Sequence, residues 1–231
     1  AYTALKKGAS DLSTLFIGGG GYTYPRYVES IYRGSTADVL EIDPGVTLTA
    51  ELYLGLAPGR GITTHYGDAR TTLQTLPRQH QYDLIFGDAF NDLSVPYHLT
   101  TKEFDVLVEQ ALSPGGYYVA NVIDNYQKGQ FVKAFLRTLH LVFPYVYLLA
   151  DGRSWNLDAQ NTYIVVGSDR PFSDVDFAVR LTRSGRGMPI TQRMPPEQLA
   201  HDLAAEPRIV LTDDYVPVDN LLAPLFDQRG F

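Results

Sequence analysis

The chain has 231 residues, 45% of them hydrophobic and 19% charged, a balance that suits one sizeable packed core and excludes wholesale disorder. Its formal net charge of -7 would repel a nucleic acid on average and favours a small cationic partner, and the lack of any cysteine removes disulfides, thiolate metal sites and cysteine nucleophiles. No apolar run approaches the roughly 18 to 20 residues of a membrane helix, and the opening AYTALKKGASDL lacks a signal-peptide core.

The first apolar run, 14–17, passes straight into Gly18-Gly19-Gly20-Gly21, and a helix is expected over 24–32. A strand, glycine, helix junction either brings backbone close to a ligand where a side chain would collide or makes only a tight turn. A second strand over 37–42 carries Glu41 about 20 residues past the glycines, where an acid can accept from both hydroxyls of a ribose. Asp43, just before Pro44, suits the cap of a helix over 44–54.

A third strand over 61–66 leads into Gly67-Asp68-Ala69-Arg70, where Asp68 either accepts from an adenine amino group or caps a helix. The fourth, 82–86, ends at Gly87-Asp88; Asp88 is the catalytic candidate, a base or an anchor for a cationic amine, with organisation of the loop 89–92 as the plainer alternative. A helix over 101–112 is stopped by Ser113-Pro114-Gly115-Gly116, a fifth strand spans 116–123, and a helix is expected over 129–143. Strands over 145–150 and 162–167 form a hairpin, Trp155 lies in the loop between them, 169–196 reads as a surface loop, and a helix over 196–205 precedes a short strand at 208–211.

This alternation predicts a Rossmann-like α/β fold: a mostly parallel sheet with helices on both faces and an antiparallel terminal hairpin, in one domain covering 1–231. The strand ends carry the polar residues, and open α/β sheets bind ligands there. A dinucleotide fits poorly, because the third glycine of G-x-G-x-x-G falls on Thr23 or Tyr24. A nucleoside without a pyrophosphate fits better. No histidine pair has ligand spacing and no calcium-loop pattern occurs, so no metal is expected.

FIGGGGYTYPRYVE, VLEIDP, HYGDAR, YDLIFGDAFNDLSVPYHLTTKEF with its LSPGG stop, and LTDDYVPVDNLL together resemble the spermidine synthase family, most closely the domains of that kind found fused to membrane-spanning segments. The resemblance implies a class I methyltransferase-like sheet and aminopropyl transfer from decarboxylated S-adenosylmethionine to a polyamine such as putrescine, with 5′-methylthioadenosine as product. It further implies a cytoplasmic location, including as part of a membrane protein, and is compatible with a homodimer. By that likeness Gly18, Gly19 and Gly20 pass along the donor, Glu41 holds its ribose, and Asp68 and Ala69 its adenine. Asp88 holds the attacking amine, Asn91, Asp92 and Asp214 line the acceptor side, and Tyr215 closes over it.

Three departures accompany the likeness. Gly21 stands where the family carries an acid for the donor's amine, Asn91 replaces a second acid beside Asp92, and the N-terminal β-hairpin region is expected to be missing. A methyltransferase using S-adenosylmethionine and a non-catalytic nucleoside-binding module therefore stay open. His98 reads as a loop histidine, while Asp213, Asp214 and Asp219 could rebuild a cation site. Tyr22 and Tyr24 either cover a nucleoside or pack against the first helix, and Trp155 is either a loop residue or part of a lid.

Overall fold

The computed structural model describes residues 11–57, 61–76, 82–89, 95–151, 154–171 and 191–227. Eight strands form one sheet in the order β3-β2-β1-β4-β5-β7-β6-β8. They are β1 (Ser13–Ile17), β2 (Thr36–Glu41), β3 (Ile62–Tyr66), β4 (Tyr82–Gly87), β5 (Leu112–Asp124), β6 (Tyr145–Asp151), β7 (Asn161–Ser168) and β8 (Thr191–Arg193). The first five pair in parallel. β7 runs antiparallel between β5 and β6, and β8 is antiparallel to β6. Leu15, Phe16 and Ile17 of β1 are buried, as a central strand covered on both faces requires.

The described helices are α1 (Thr23–Ile31), α2 (Pro44–Tyr53), α3 (Ala69–Thr75), α4 (Lys102–Ala111), α5 (Phe131–Leu139), α6 (Pro196–Ala204) and α7 (Val218–Asp227). Val28 of α1 and Ala50 of α2 join the apolar cluster on one face of the sheet. Leu73, Phe104, Val108 and Phe135, from α3, α4 and α5, join the larger cluster on the other. The chain thus has the Rossmann-like α/β architecture that its pattern predicts and the class I methyltransferase-like sheet that the resemblance implies.

Five local points are settled or corrected by the structure. α3 follows the third strand directly and starts at its Asp68 cap, the helix alternative left open for that residue, although its Thr-rich sequence has weak helix propensity. β8 forms an edge strand inside the stretch read as loop, and α7 was not foreseen around Pro224. Residues 208–211 are not a strand: Leu211 donates its amide to the Thr138 hydroxyl at 2.9 Å and accepts from the Lys102 amide at 2.9 Å, so the run packs against α4 and α5 instead. Trp155 is buried in the main core within a short 3-10 turn, which removes the lid reading. Among the described residues no helix is long and apolar enough to cross a membrane.

Candidate functional site

The order reverses between β1 and β4, since the chain leaves β1 for β2 and β3 on one side and returns to β4 and β5 on the other. A crevice at the carboxyl ends of these strands follows from that topology. Gly18 enters it with φ +98°, its amide donating to the Leu40 carbonyl at 2.9 Å. The Gly19 amide donates to Glu41 Oε2 at 2.8 Å, and the Asp43 amide to Glu41 Oε1 at 2.9 Å. Glu41 is only 6% exposed, so these two amides fix a buried carboxylate in place while each oxygen keeps a free lone pair.

Tyr22 supports this loop from below. Its ring lies where a side chain at residue 19 would go, and its hydroxyl meets Thr47 Oγ1 at 2.7 Å and Thr64 Oγ1 at 3.0 Å. Tyr22 is fully buried, and Tyr24 packs edge-on to Phe16 and stacks on Tyr27. The packing alternative therefore holds for Tyr22 and Tyr24. Asp43 caps α2 as expected, accepting from the Gly45 amide at 2.8 Å.

Asp68 combines two duties. Oδ1 caps α3 through the Thr71 amide at 3.0 Å, and Oδ2 meets His98 Nε2 at 2.6 Å. Burial pushes its carboxyl up, but the Thr71 amide and His98 outweigh that and hold it below its ordinary value. His98 sits on the 3-10 turn Tyr97–Leu99 and was read as a plain loop histidine; the structure places it in the crevice wall. Nothing in the local sequence announces that contact, which joins residues 30 apart.

Arg70, in the first turn of α3, holds the same wall from outside. Its guanidinium donates to both Asp213 oxygens, at 2.7 and 2.6 Å, and to the His98 carbonyl at 3.3 Å. The Arg70 guanidinium holds the Asp213 carboxyl below the usual range, and Thr101 Oγ1 adds a bond at 2.8 Å. Asp213 is thus committed to a cation already present and does not rebuild a site for another.

Asp88 follows β4, its amide tied to the Ile17 carbonyl at 3.0 Å and its Oδ1 accepting from Asn121 Nδ2 at 2.9 Å. These elements enclose a cavity of about 290 Å³, near the lower end of the range for small-molecule sites. Gly18, Gly20, Glu41, Asp68, Ala69 and Asp88 all line it. Apolar surface comes from Leu40, Ile42, Pro96 and Leu99; Ile42 is 72% exposed, an apolar face that a flat base would cover. Gly19 contributes through its amide to Glu41. Asp214 and Tyr215 stand exposed on the tight turn closed by the Thr212–Tyr215 pair and are not among the residues lining this cavity. Asn91 and Asp92 lie outside the described residues, and Asp219 is exposed at the start of α7.

No family model matches the chain. A polyamine aminopropyltransferase of Vibrio vulnificus (strain CMCP6) is 41% identical over 108 residues, 46% of this chain and 36% of that protein. A probable polyamine aminopropyl transferase of Bifidobacterium longum (strain NCC 2705) is 30% identical over 152 residues, 65% of this chain and 32% of that protein. A probable spermidine synthase from Corynebacterium glutamicum ATCC 13032 superposes with a TM-score of 0.76 and 26% identity, over 89% of this chain and 73% of that one. The chain is thus similar to polyamine aminopropyltransferases in sequence and to a spermidine synthase in fold and sequence. It spans about a third of the length of the curated relatives it matches.

Gly21 follows the lining residue Gly20. Gly21 presents no carboxylate, and a side chain there would first meet the Thr23 hydroxyl at 3.4 Å and Leu54 at 3.7 Å, so the position is open. Asn121, whose Oδ1 has no hydrogen-bond partner among the described residues, and Arg70 complete the set of site-shaping residues that sequence reasoning missed. Both act through contacts between strands or between distant segments, which no local pattern reveals.

Proposed function

We propose that this chain binds an S-adenosyl sulfonium nucleotide in the crevice and transfers the aminopropyl group of decarboxylated S-adenosylmethionine to a small cationic amine such as putrescine. The observation that carries the reading is the convergence of Gly18, Glu41, Asp68 and Asp88, from four different strand ends, on one cavity. The relatives' names support it.

Each group has a role that its geometry suits. Glu41, held by two amides, accepts from the ribose hydroxyls, and Asp68 and Ala69 border the base. Asp88, oriented by Asn121, takes a proton from the substrate ammonium so that the nitrogen lone pair can attack the propyl carbon next to sulfur. The new N–C bond forms as the C–S bond breaks, its electron pair passes to sulfur, and neutral 5′-methylthioadenosine leaves. The proton remaining on the product amine is shared with solvent.

Incubating the purified chain with decarboxylated S-adenosylmethionine and putrescine should release 5′-methylthioadenosine; no release across a panel of diamines and polyamines overturns the reading. The open position at Gly21 favours a second one, methyl transfer from S-adenosylmethionine, because a donor carboxylate would meet no opposing acid there. Calorimetry with both donors separates them. A tenfold preference for the decarboxylated form, about 1.4 kcal/mol, excludes the second reading.

A further inference from the structure

The base end of the cavity contains more than the acid that the family pattern supplies. Asp68 Oδ1 is taken up by the Thr71 amide and hydroxyl, at 3.0 and 3.2 Å, whereas Oδ2 meets only His98, at 2.6 Å, and keeps a second lone pair. Asp68 and His98 both line the cavity, beside Ala69, Pro96 and Leu99. An ionised carboxylate only accepts hydrogen bonds, so His98 Nε2 carries the hydrogen between them. In the neutral ring Nδ1 is then bare and accepts.

The ring is also held. The His98 backbone carbonyl accepts from Arg70 Nη1 at 3.3 Å, and Arg70 is gripped by both oxygens of Asp213. The adjoining Thr100 amide and hydroxyl return to the Tyr97 carbonyl at 3.0 and 2.7 Å, closing the short turn. A side chain anchored at its far atom and along its backbone is suited to discriminate, because little freedom is left to be lost on binding.

The geometry points to His98 as a specificity residue that, with Asp68, makes the base end of the cavity select a 6-aminopurine over a 6-oxopurine. Two acceptors at one end favour an exocyclic amino group, which donates two hydrogens. A 6-oxo group turns its lone pairs toward them instead, and the ring N–H beside it is displaced from their reach. This inference rests on the nucleoside reading of the cavity and adds the residue that identifies the base.

The test compares binding of 5′-methylthioadenosine and 5′-methylthioinosine by calorimetry to the parent chain, His98→Ala and His98→Gln. The parent should prefer the adenine nucleoside at least about tenfold, and His98→Ala should shrink that ratio about fivefold or more by weakening adenosine binding selectively. His98→Gln, with an amide N–H for Asp68 and an amide oxygen as acceptor, should keep most of the ratio. A merely structural histidine would lower both affinities alike, and an unchanged ratio in His98→Ala overturns the inference while leaving the nucleoside reading intact. If the parent binds neither compound, the nucleoside reading fails and this one with it.

Discussion

Replacing Gly18 with alanine tests whether the glycine loop positions the reacting acid. A Cβ there would lie 2.9 Å from the Asp88 carbonyl oxygen and 3.2 Å from its carbon, roughly 0.5 Å inside ordinary contact, and the obstacle is backbone, which cannot swing aside. The φ of +98° adds left-handed strain of about 1 to 2 kcal/mol, and overpacking about 1 to 3, so the variant should lose about 2 to 5 kcal/mol of stability. Gly20→Ala is the matched control. Its φ is +48° and nothing lies within 4 Å of its added carbon, so it should lose only about 1 to 2 kcal/mol. Urea unfolding measures both. In the turnover assay Gly18→Ala should fall at least about tenfold below Gly20→Ala, since displacing a reacting group by a fraction of an ångström misaligns attack. Equal stability within about 0.5 kcal/mol and equal turnover in the two variants would refute the reasoning.

Asp88→Asn keeps an oxygen for Asn121, so nucleoside affinity should be unchanged while 5′-methylthioadenosine release falls by about 100-fold or more; equal turnover removes Asp88 from the chemistry. Glu41→Gln sets an amide N–H against one of its two backbone donors, and should lose about 1.5 to 3 kcal/mol in unfolding and weaken nucleoside binding at least tenfold by calorimetry. Asp105 is fully buried on α4, neither oxygen has a partner among the described residues, and burial, then Glu103, pushes its carboxyl well up; Asp105→Leu should therefore match or exceed the parent's stability, by up to about 2 kcal/mol in urea. Burial raises the Asp124 carboxyl from 3.8 to about 6, against amide bonds from Val132 and Asn125. Its contribution is thus complete below about pH 4 and is lost as pH rises through 6, so Asp124→Asn should gain about 2 to 3 kcal/mol on the parent between pH 4 and pH 7 in paired unfolding curves.

The parallel half of the fold was legible because each strand is a short apolar run ending in a polar ligand position, as 14–17 before the glycines and 82–86 before Asp88. Glu41 was legible for the same reason, and its burial beside Gly19 agrees with its place in the pattern. What escaped depends on tertiary partners. α3 owes its start to Asp68, a residue whose ligand and cap alternatives the sequence leaves open. Ile209, Val210 and Leu211 have the composition of a strand, yet the Thr138 hydroxyl and the Lys102 amide bind Leu211 between helices. His98 looked unremarkable because a histidine's role lies in what it touches, here Asp68 across a turn of the chain and Arg70 behind it.

The ion pair between Arg70 and Asp213 joins residues 143 apart. Every cavity-lining group described above is translated before Asp213, so a nascent chain has its glycine loop and acids roughly ten seconds before the brace behind His98 arrives, at common elongation rates. Ribosome-bound intermediates of this protein therefore expose an unbraced pocket wall, and ligand affinity should mature only when the distal segment docks.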